Sequence, residues 1–204
     1  MSKPPADSIA VPAILLAAGA STRLGQPKQL LRLPALGGAT LLDHSVEVAR
    51  TAGAAPIFVI LGAHAEEIHL ECELLDCILI RNETWAEGMA SSLRVGIAAV
   101  LENTPAASGA MVLVCDQPRL SAEHLRALLT QHRISAVPIT ASVYAGKAGV
   151  PAVFAREVFP ELAGLQGDRG ARDLIRRHAD RVEGIAWSDG SADLDVPEDL
   201  RGVE

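Results

Sequence analysis

No run of eighteen apolar residues occurs anywhere in this 204-residue chain, which excludes a membrane-spanning helix of ordinary length. The first ten residues, Met1 to Ala10, lack the basic start and apolar core of a signal peptide, and read as a disordered leader of a cytoplasmic protein. Basic residues are in deficit. A formal charge of −7 argues against nonspecific binding to nucleic acid or to an anionic membrane, since both need a positive surface. An anionic substrate must therefore be met by cations or metal gathered locally. Cys72, Cys77 and Cys115 are odd in number and form no Cys-x-x-Cys pair, so neither a disulfide framework nor a zinc site is supported. Three reduced, mostly buried thiols are expected. The histidines, His44, His64, His69, His124, His132 and His178, show no metal-ligand spacing and read as surface or helix-face residues. No internal repeat, low-complexity tract or Pro-, Gly- or Ser-rich linker divides the chain, so residues 11–204 are expected to form a single domain.

What is present is an alternation of two periodicities. Strand-like apolar runs at Ile14 to Leu16, Ile57 to Leu61, Cys77 to Ile80 and Met111 to Val114 are separated by segments with helical spacing, the pattern of a parallel sheet covered by helices. Thr40 and Asp43 open one helix, with Leu42, Val46 and Ala49 on a common face and Gly53 as its stop. Met89 to Leu101 reads as a second helix. Ser121 opens another, which buries Leu125, Leu128 and Leu129. Beyond Gln131 the pattern changes: Ile139 to Tyr144 and Val150 to Phe154 flank a glycine-containing connection with the composition of a hairpin or strand-connecting loop. A helix from Ala171 to His178 and a strand from Val182 to Trp187 complete the expectation.

The densest chemical signal follows the first strand. From Leu16, Ala17, Ala18 and Gly19 to Gly25 the chain carries little side-chain bulk, so backbone N–H groups can approach a phosphate closely, and Arg23 and Lys28 supply cations. The spacing is neither Gly-x-x-x-x-Gly-Lys-Ser/Thr nor Gly-x-Gly-x-x-Gly, which speaks against a Walker NTPase and against a dinucleotide reader. Ligands of an open parallel sheet bind beyond the carboxyl ends of its strands. Two further segments of that kind carry carboxylates: Cys115-Asp116-Gln117-Pro118, and Asp193 to Asp199 after the last strand. Two separated carboxylates converging on one crevice suit Mg²⁺, which takes few protein oxygens and leaves positions for water and phosphate. Taken singly, each segment also reads as a tight turn or a helix-terminal acid.

Together these segments resemble the MobA-like nucleotidyltransferases, and within them the molybdenum cofactor cytidylyltransferase branch. The matching stretches are Leu16 to Gly19 with Ser21, Arg23, Gly25 and Lys28; Asn82 with Trp85, Glu87 to Met89 and Ser91 to Leu93; Cys115 to Pro118; Gly167 to Arg172; and Asp193 to Leu200. They stand in family order and cover nearly the whole chain. Val150 departs from the family, where the residue before this proline is often polar.

The resemblance implies a three-layer α/β/α Rossmann-like nucleotidyltransferase fold with a mostly parallel central sheet. It implies transfer of CMP from CTP to the phosphate of molybdenum cofactor with release of pyrophosphate, the product being destined for a client molybdoenzyme. Ala18, where GTP-using members carry glycine, favours CTP; one methyl is worth about 1 to 3 kcal/mol of discrimination. Arg23 is assigned to the β and γ phosphates, Lys28 to the α-phosphoryl, and Asp116 with Asp195 to Mg²⁺, Asp193 being the less favoured second ligand. Leu16, Ala17, Ala18, Gly19, Gly62, Gly88 and Ser92 are assigned to the nucleotide. Arg169 and Arg172 are assigned to the acceptor phosphate. The same residues are also compatible with GTP, with a sugar, alditol or polyol phosphate as acceptor, or with a noncatalytic carrier of the mature cofactor.

Overall fold

The computed structural model describes residues 10–190 together with Leu194, Val196 and Asp199. The expected leader therefore lies, but for Ala10, outside the described residues, as do Asp193 and Asp195. Seven strands form one sheet: β1 (Ala13–Ala17), β2 (Ile57–Leu61), β3 (Cys77–Arg81), β4 (Gly109–Val114), β5 (Ile139–Tyr144), β6 (Lys147–Ala155) and β7 (Val182–Ala186). Their order is β3-β2-β1-β4-β6-β5-β7.

The helices are α1 (Leu41–Ala52), α2 (Ala65–Glu71), α3 (Met89–Asn103), α4 (Ala122–Ile134), α5 (Phe159–Ala163) and α6 (Ala171–Arg177). The caps read from the sequence are made: the Thr40 side chain accepts from the Asp43 N–H, Ser121 accepts from the His124 N–H, and Gly53 ends α1 in the left-handed conformation. The two serine and threonine caps satisfy N–H groups that the helix start leaves unbonded, whereas the Gly53 N–H donates to the Ala49 and Arg50 carbonyls of the last turn.

β1 is central and buried along its whole length. It has no polar alternation because both of its faces are covered. Leu15 and Ala17 join Leu42, Val46, Ile68, Leu125 and Leu129 in one core, under α1, α2 and α4. Ile14 and Leu16 join Leu93, Ile97, Phe159, Leu162 and Leu174 in the other, under α3, α5 and α6.

The chain runs outward from β1 through β2 to β3, then returns by α3 to place β4 on the other side of β1. The order reverses between β1 and β4, and a crevice opens beyond the ends of those two strands. The sheet is mostly parallel, as expected: parallel through β3, β2, β1 and β4 and again between β5 and β7, with β6 antiparallel to both of its neighbours. The hairpin composition near Gly146 is thus a true β5–β6 hairpin. Its second strand inserts between β4 and β5 and brings Val150 to the wall of the crevice.

Candidate active site

Beyond β1 the chain turns at Ser21, whose φ of +52° is left-handed, and its carbonyl accepts from the Leu24 and Gly25 N–H groups. The turn is pinned from beneath. Gln29, 1% exposed, donates from Nε2 to Ala17 O at 2.8 Å and to Gly19 O at 2.9 Å. Ser21 Oγ in turn accepts from the Lys28 N–H at 3.1 Å. With the carbonyls held inward, the N–H groups of Gly19 and Ala20 have no acceptor among the described residues. Such outward-facing amides form an anion-binding concavity. Gln29 escaped the sequence reading because nothing in its neighbourhood announces a buried amide.

Lys28 then reaches across the crevice to the residue that follows β4. Its Nζ lies 2.6 Å from Asp116 Oδ2, with the two side chains 18% and 19% exposed. Asp116 Oδ1 has no partner among the described residues. The Leu194 N–H donates to Asp116 O at 3.0 Å, so the last described stretch of chain is tied to the same loop. Cys115, alongside, is buried, and burial followed by the Asp116 charge pushes its thiol up to about 12. It stays protonated at neutral pH and is no nucleophile.

Two lobes open on either side of this ion pair. The first, of about 450 Å³, is lined by Leu16 to Ala20, Gln29, Trp85, Gly88, Met89, Ser92 and Asp168. Ser92 is set in place by Asn82, a buried amide that donates to Ser92 Oγ at 3.0 Å and to Ser91 Oγ at 2.8 Å. The Ser92 hydroxyl thus keeps its proton for a ligand. Gly88, at φ +106°, comes so near the loop of Gly167 and Asp168 that a Cβ on it would lie 2.5 Å from the Gly167 carbonyl. Gly62 packs behind Ala18 and Trp85 and is not among the lining residues.

The second lobe, of about 400 Å³, is lined by Arg23, Gln117, Val150, Gly170, Arg172 and Asp173 and shares Lys28, Asp116 and Asp168 with the first. The two arginines assigned to the acceptor are separated. Arg172 faces this lobe, whereas Arg169 lines a different depression with Glu161, Gln166 and Arg177. Among the described residues no three acidic, His or Cys side chains form a metal cluster, and the Asp195 assignment lies outside them. His124, a helix-face residue as expected, sits on the inward face of α4 and is buried, with Ser142 Oγ of β5 2.7 Å from its Nε2.

A small-residue loop and a lysine facing a carboxylate line a two-lobed crevice, and residues 13–182 match the model of the MobA-like NTP transferase domain. The chain belongs to that family. It is a nucleotidyltransferase by family, with a Rossmann-like fold and no helix among its described residues long and apolar enough to cross a membrane. The nicotine blue oxidoreductase of Paenarthrobacter nicotinovorans is 32% identical over 91% of each chain. The purine catabolism protein PucB of Bacillus subtilis is 29% identical over 91% of this chain and 92% of its own. Rv0371c of Mycobacterium tuberculosis, solved in complex with manganese, superposes with a TM-score of 0.80 at 31% identity, covering 96% of this chain and 98% of that one.

Proposed function

We propose that this member of the MobA-like family transfers the cytidylyl group of CTP to the terminal phosphate of the molybdenum cofactor. The observation that carries the reading is the Lys28–Asp116 pair at the boundary of the two lobes. A nucleotide in the first lobe and a phosphorylated acceptor in the second would meet there. An acceptor phosphate oxygen forms a bond to the α-phosphorus as the bond to the bridging oxygen of the β-phosphate breaks, and pyrophosphate leaves. Both reactants are anions, so catalysis rests on positioning and charge neutralisation and needs no protein nucleophile.

The residues divide that work. The Gly19 and Ala20 amides with Arg23 receive the β and γ phosphates, Lys28 offsets charge growing on the α-phosphoryl, and Ser92 donates to the nucleoside. Ala18 narrows the first lobe in favour of a pyrimidine. Arg172 receives the acceptor phosphate. Asp116, a hard oxygen donor with one carboxylate oxygen unbonded among the described residues, fits a divalent cation, which the manganese complex of Rv0371c also supports. Mg²⁺ held by Asp116, with Asp195 as the second carboxylate, would neutralise phosphate charge. Delivery of the product to a client molybdoenzyme in the cytoplasm follows from this reading.

The test is pyrophosphate release from CTP, GTP and ATP with Mg²⁺, with and without molybdenum cofactor. Release from CTP that depends on the acceptor supports the reading; release from GTP, or only with a sugar or polyol phosphate, replaces its base or its acceptor. Tight cofactor binding without release would make the protein a carrier. A second reading, carried by the 32% identical nicotine blue oxidoreductase, is tested in the same vessel by following oxidation of a nicotinamide cofactor.

A further inference from the structure

Arg172 is an exposed arginine on a short helix, yet its guanidinium is not left to wander. Its Nη2 donates to the Tyr144 hydroxyl at 2.6 Å, and its carbon Cζ lies 5.7 Å from the centre of the Tyr144 ring. Tyr144 comes from the end of β5 and packs in the opposite core, so the contact passes over the β5–β6 hairpin. Gly149 is the gap that admits it. A Cβ on Gly149 would lie 2.7 Å from Tyr144 Oη and 3.2 Å from Arg172 Nε.

Tyr144 is itself held on every side. Its hydroxyl donates to Val150 O at 3.1 Å, so the lone pairs are what face the guanidinium. Its ring meets Trp187 edge-on at 5.7 Å, and Trp187 stacks on His124 at 4.9 Å. Val150 O accepts as well from Gln117 Nε2 at 3.3 Å, which links this wall of the lobe to the neighbour of Asp116.

Two physical features follow from choosing a tyrosine for this contact. Arg172 forms no ion pair and no second hydrogen bond with the described residues, so its remaining N–H donors stay available to the lobe. A carboxylate in the place of the hydroxyl would have oriented the arginine and cancelled its charge; the neutral hydroxyl orients it and leaves the charge whole. An arginine fixed before binding also loses less side-chain freedom when an anion arrives. With the apolar Val150 beside it, Arg172 is the cation of this wall.

We propose that Tyr144 is a positioning residue that holds Arg172 as a preformed receptor for the phosphate monoester of the acceptor, without touching either substrate. The inference rests on the proposal that the second lobe takes the acceptor.

The experiment is calorimetric titration of inorganic phosphate into the full chain with CTP present, for wild type, Tyr144→Phe, Arg172→Ala and the double variant. Tyr144→Phe is expected to weaken phosphate about tenfold, Arg172→Ala by more, and the double variant by no more than Arg172→Ala alone. CTP affinity should be unchanged throughout, and in turnover Tyr144→Phe should raise the acceptor KM while kcat holds. Should Tyr144→Phe fail to fold, Gly149→Ala wedges the same contact apart and is expected to give the same loss. Phosphate weakened by Arg172→Ala but not by Tyr144→Phe or Gly149→Ala overturns the role of Tyr144 and leaves the acceptor lobe standing. Phosphate unaffected by Arg172→Ala overturns the acceptor reading itself, and the inference with it.

Discussion

Lys28 and Asp116 stand 88 positions apart in the chain and 2.6 Å apart in the fold. Each follows a neighbouring parallel strand, β1 or β4, at the point where the strand order reverses. A partly exposed ion pair of this kind contributes at most about 1 kcal/mol to stability. Its position between the two lobes is what the proposed chemical role rests on.

Asp116→Asn and Lys28→Met are therefore expected to lower kcat/KM for nucleotidyl transfer by about 10²- to 10³-fold while leaving the melting temperature within a few degrees of wild type. Initial rates of pyrophosphate release, set beside thermal melts of the same preparations, check this. A large drop in melting temperature with little loss of rate would return the pair to a structural role.

Replacing Gln29 removes two donors from beneath the loop. Gln29→Leu leaves the Ala17 and Gly19 carbonyls without that partner and is expected to cost about 1 to 3 kcal/mol of stability. CTP affinity should fall too, because the loop amides lose their common direction. Urea denaturation gives the first quantity and nucleotide titration the second; CTP affinity equal to wild type would show that the loop holds its shape unaided.

Gly88→Ala places a Cβ 2.5 Å from the Gly167 carbonyl and 2.6 Å from Asp168 Oδ1, at a φ of +106° that side chains rarely adopt. Strain of about 1 to 3 kcal/mol is expected. The loops of Gly88 and Asp168 must part, widening the first lobe, so the KM for CTP should rise. Ala18→Gly acts on the same lobe without strain and is expected to shift the CTP-to-GTP ratio of kcat/KM about tenfold toward GTP. Parallel rates with the two nucleotides measure that ratio, and an unchanged value would move base selection elsewhere.

Stability is expected to fall as the solution is acidified from about pH 6.5 to about pH 4. Burial lowers the His124 pKa from 6.5 to about 4, and the Ser142 hydroxyl, which donates its own proton to Pro151 O, obliges His124 to donate from Nε2 while neutral. The unfolded chain binds a proton below pH 6.5 that the folded chain refuses until near pH 4, so protons favour unfolding through this window. Burial lowers His44 and His132 in the same sense. Denaturation midpoints across the window should decline in wild type and decline less steeply in His124→Gln; equal slopes would remove His124 from the account.

That Lys28 and Asp116 line one crevice was legible because the rule that ligands of such a sheet bind beyond strand ends depends only on local sequence: an apolar run, then a loop with a charge. The place of Ser92 in the lining of the first lobe was legible through the resemblance. The Tyr144–Arg172 contact was not, since it joins residues 28 positions apart across Gly149. Helix α2 was legible only as a segment of helical spacing without bounds, because it is seven residues long and leaves Leu70 83% exposed, so no clean apolar face marks it. The split of Arg169 from Arg172 was equally hidden. The two are three residues apart, but Arg169 precedes α6 and Arg172 lies within it, and the start of the helix turns them into different depressions.

The sequence by itself determined the strands of the buried sheet, the caps of α1 and α4, the small-residue loop and the cations and carboxylate that face the crevice. These follow from hydrophobic period, local hydrogen bonding and backbone sterics, which act over a few residues. Only the tertiary structure decided that β6 runs antiparallel between β4 and β5, that Gln29 braces the loop, that the crevice has two lobes, and that Tyr144 holds Arg172. Those depend on which distant groups burial forces together, and a buried amide or hydroxyl takes whichever partner the packing brings within reach.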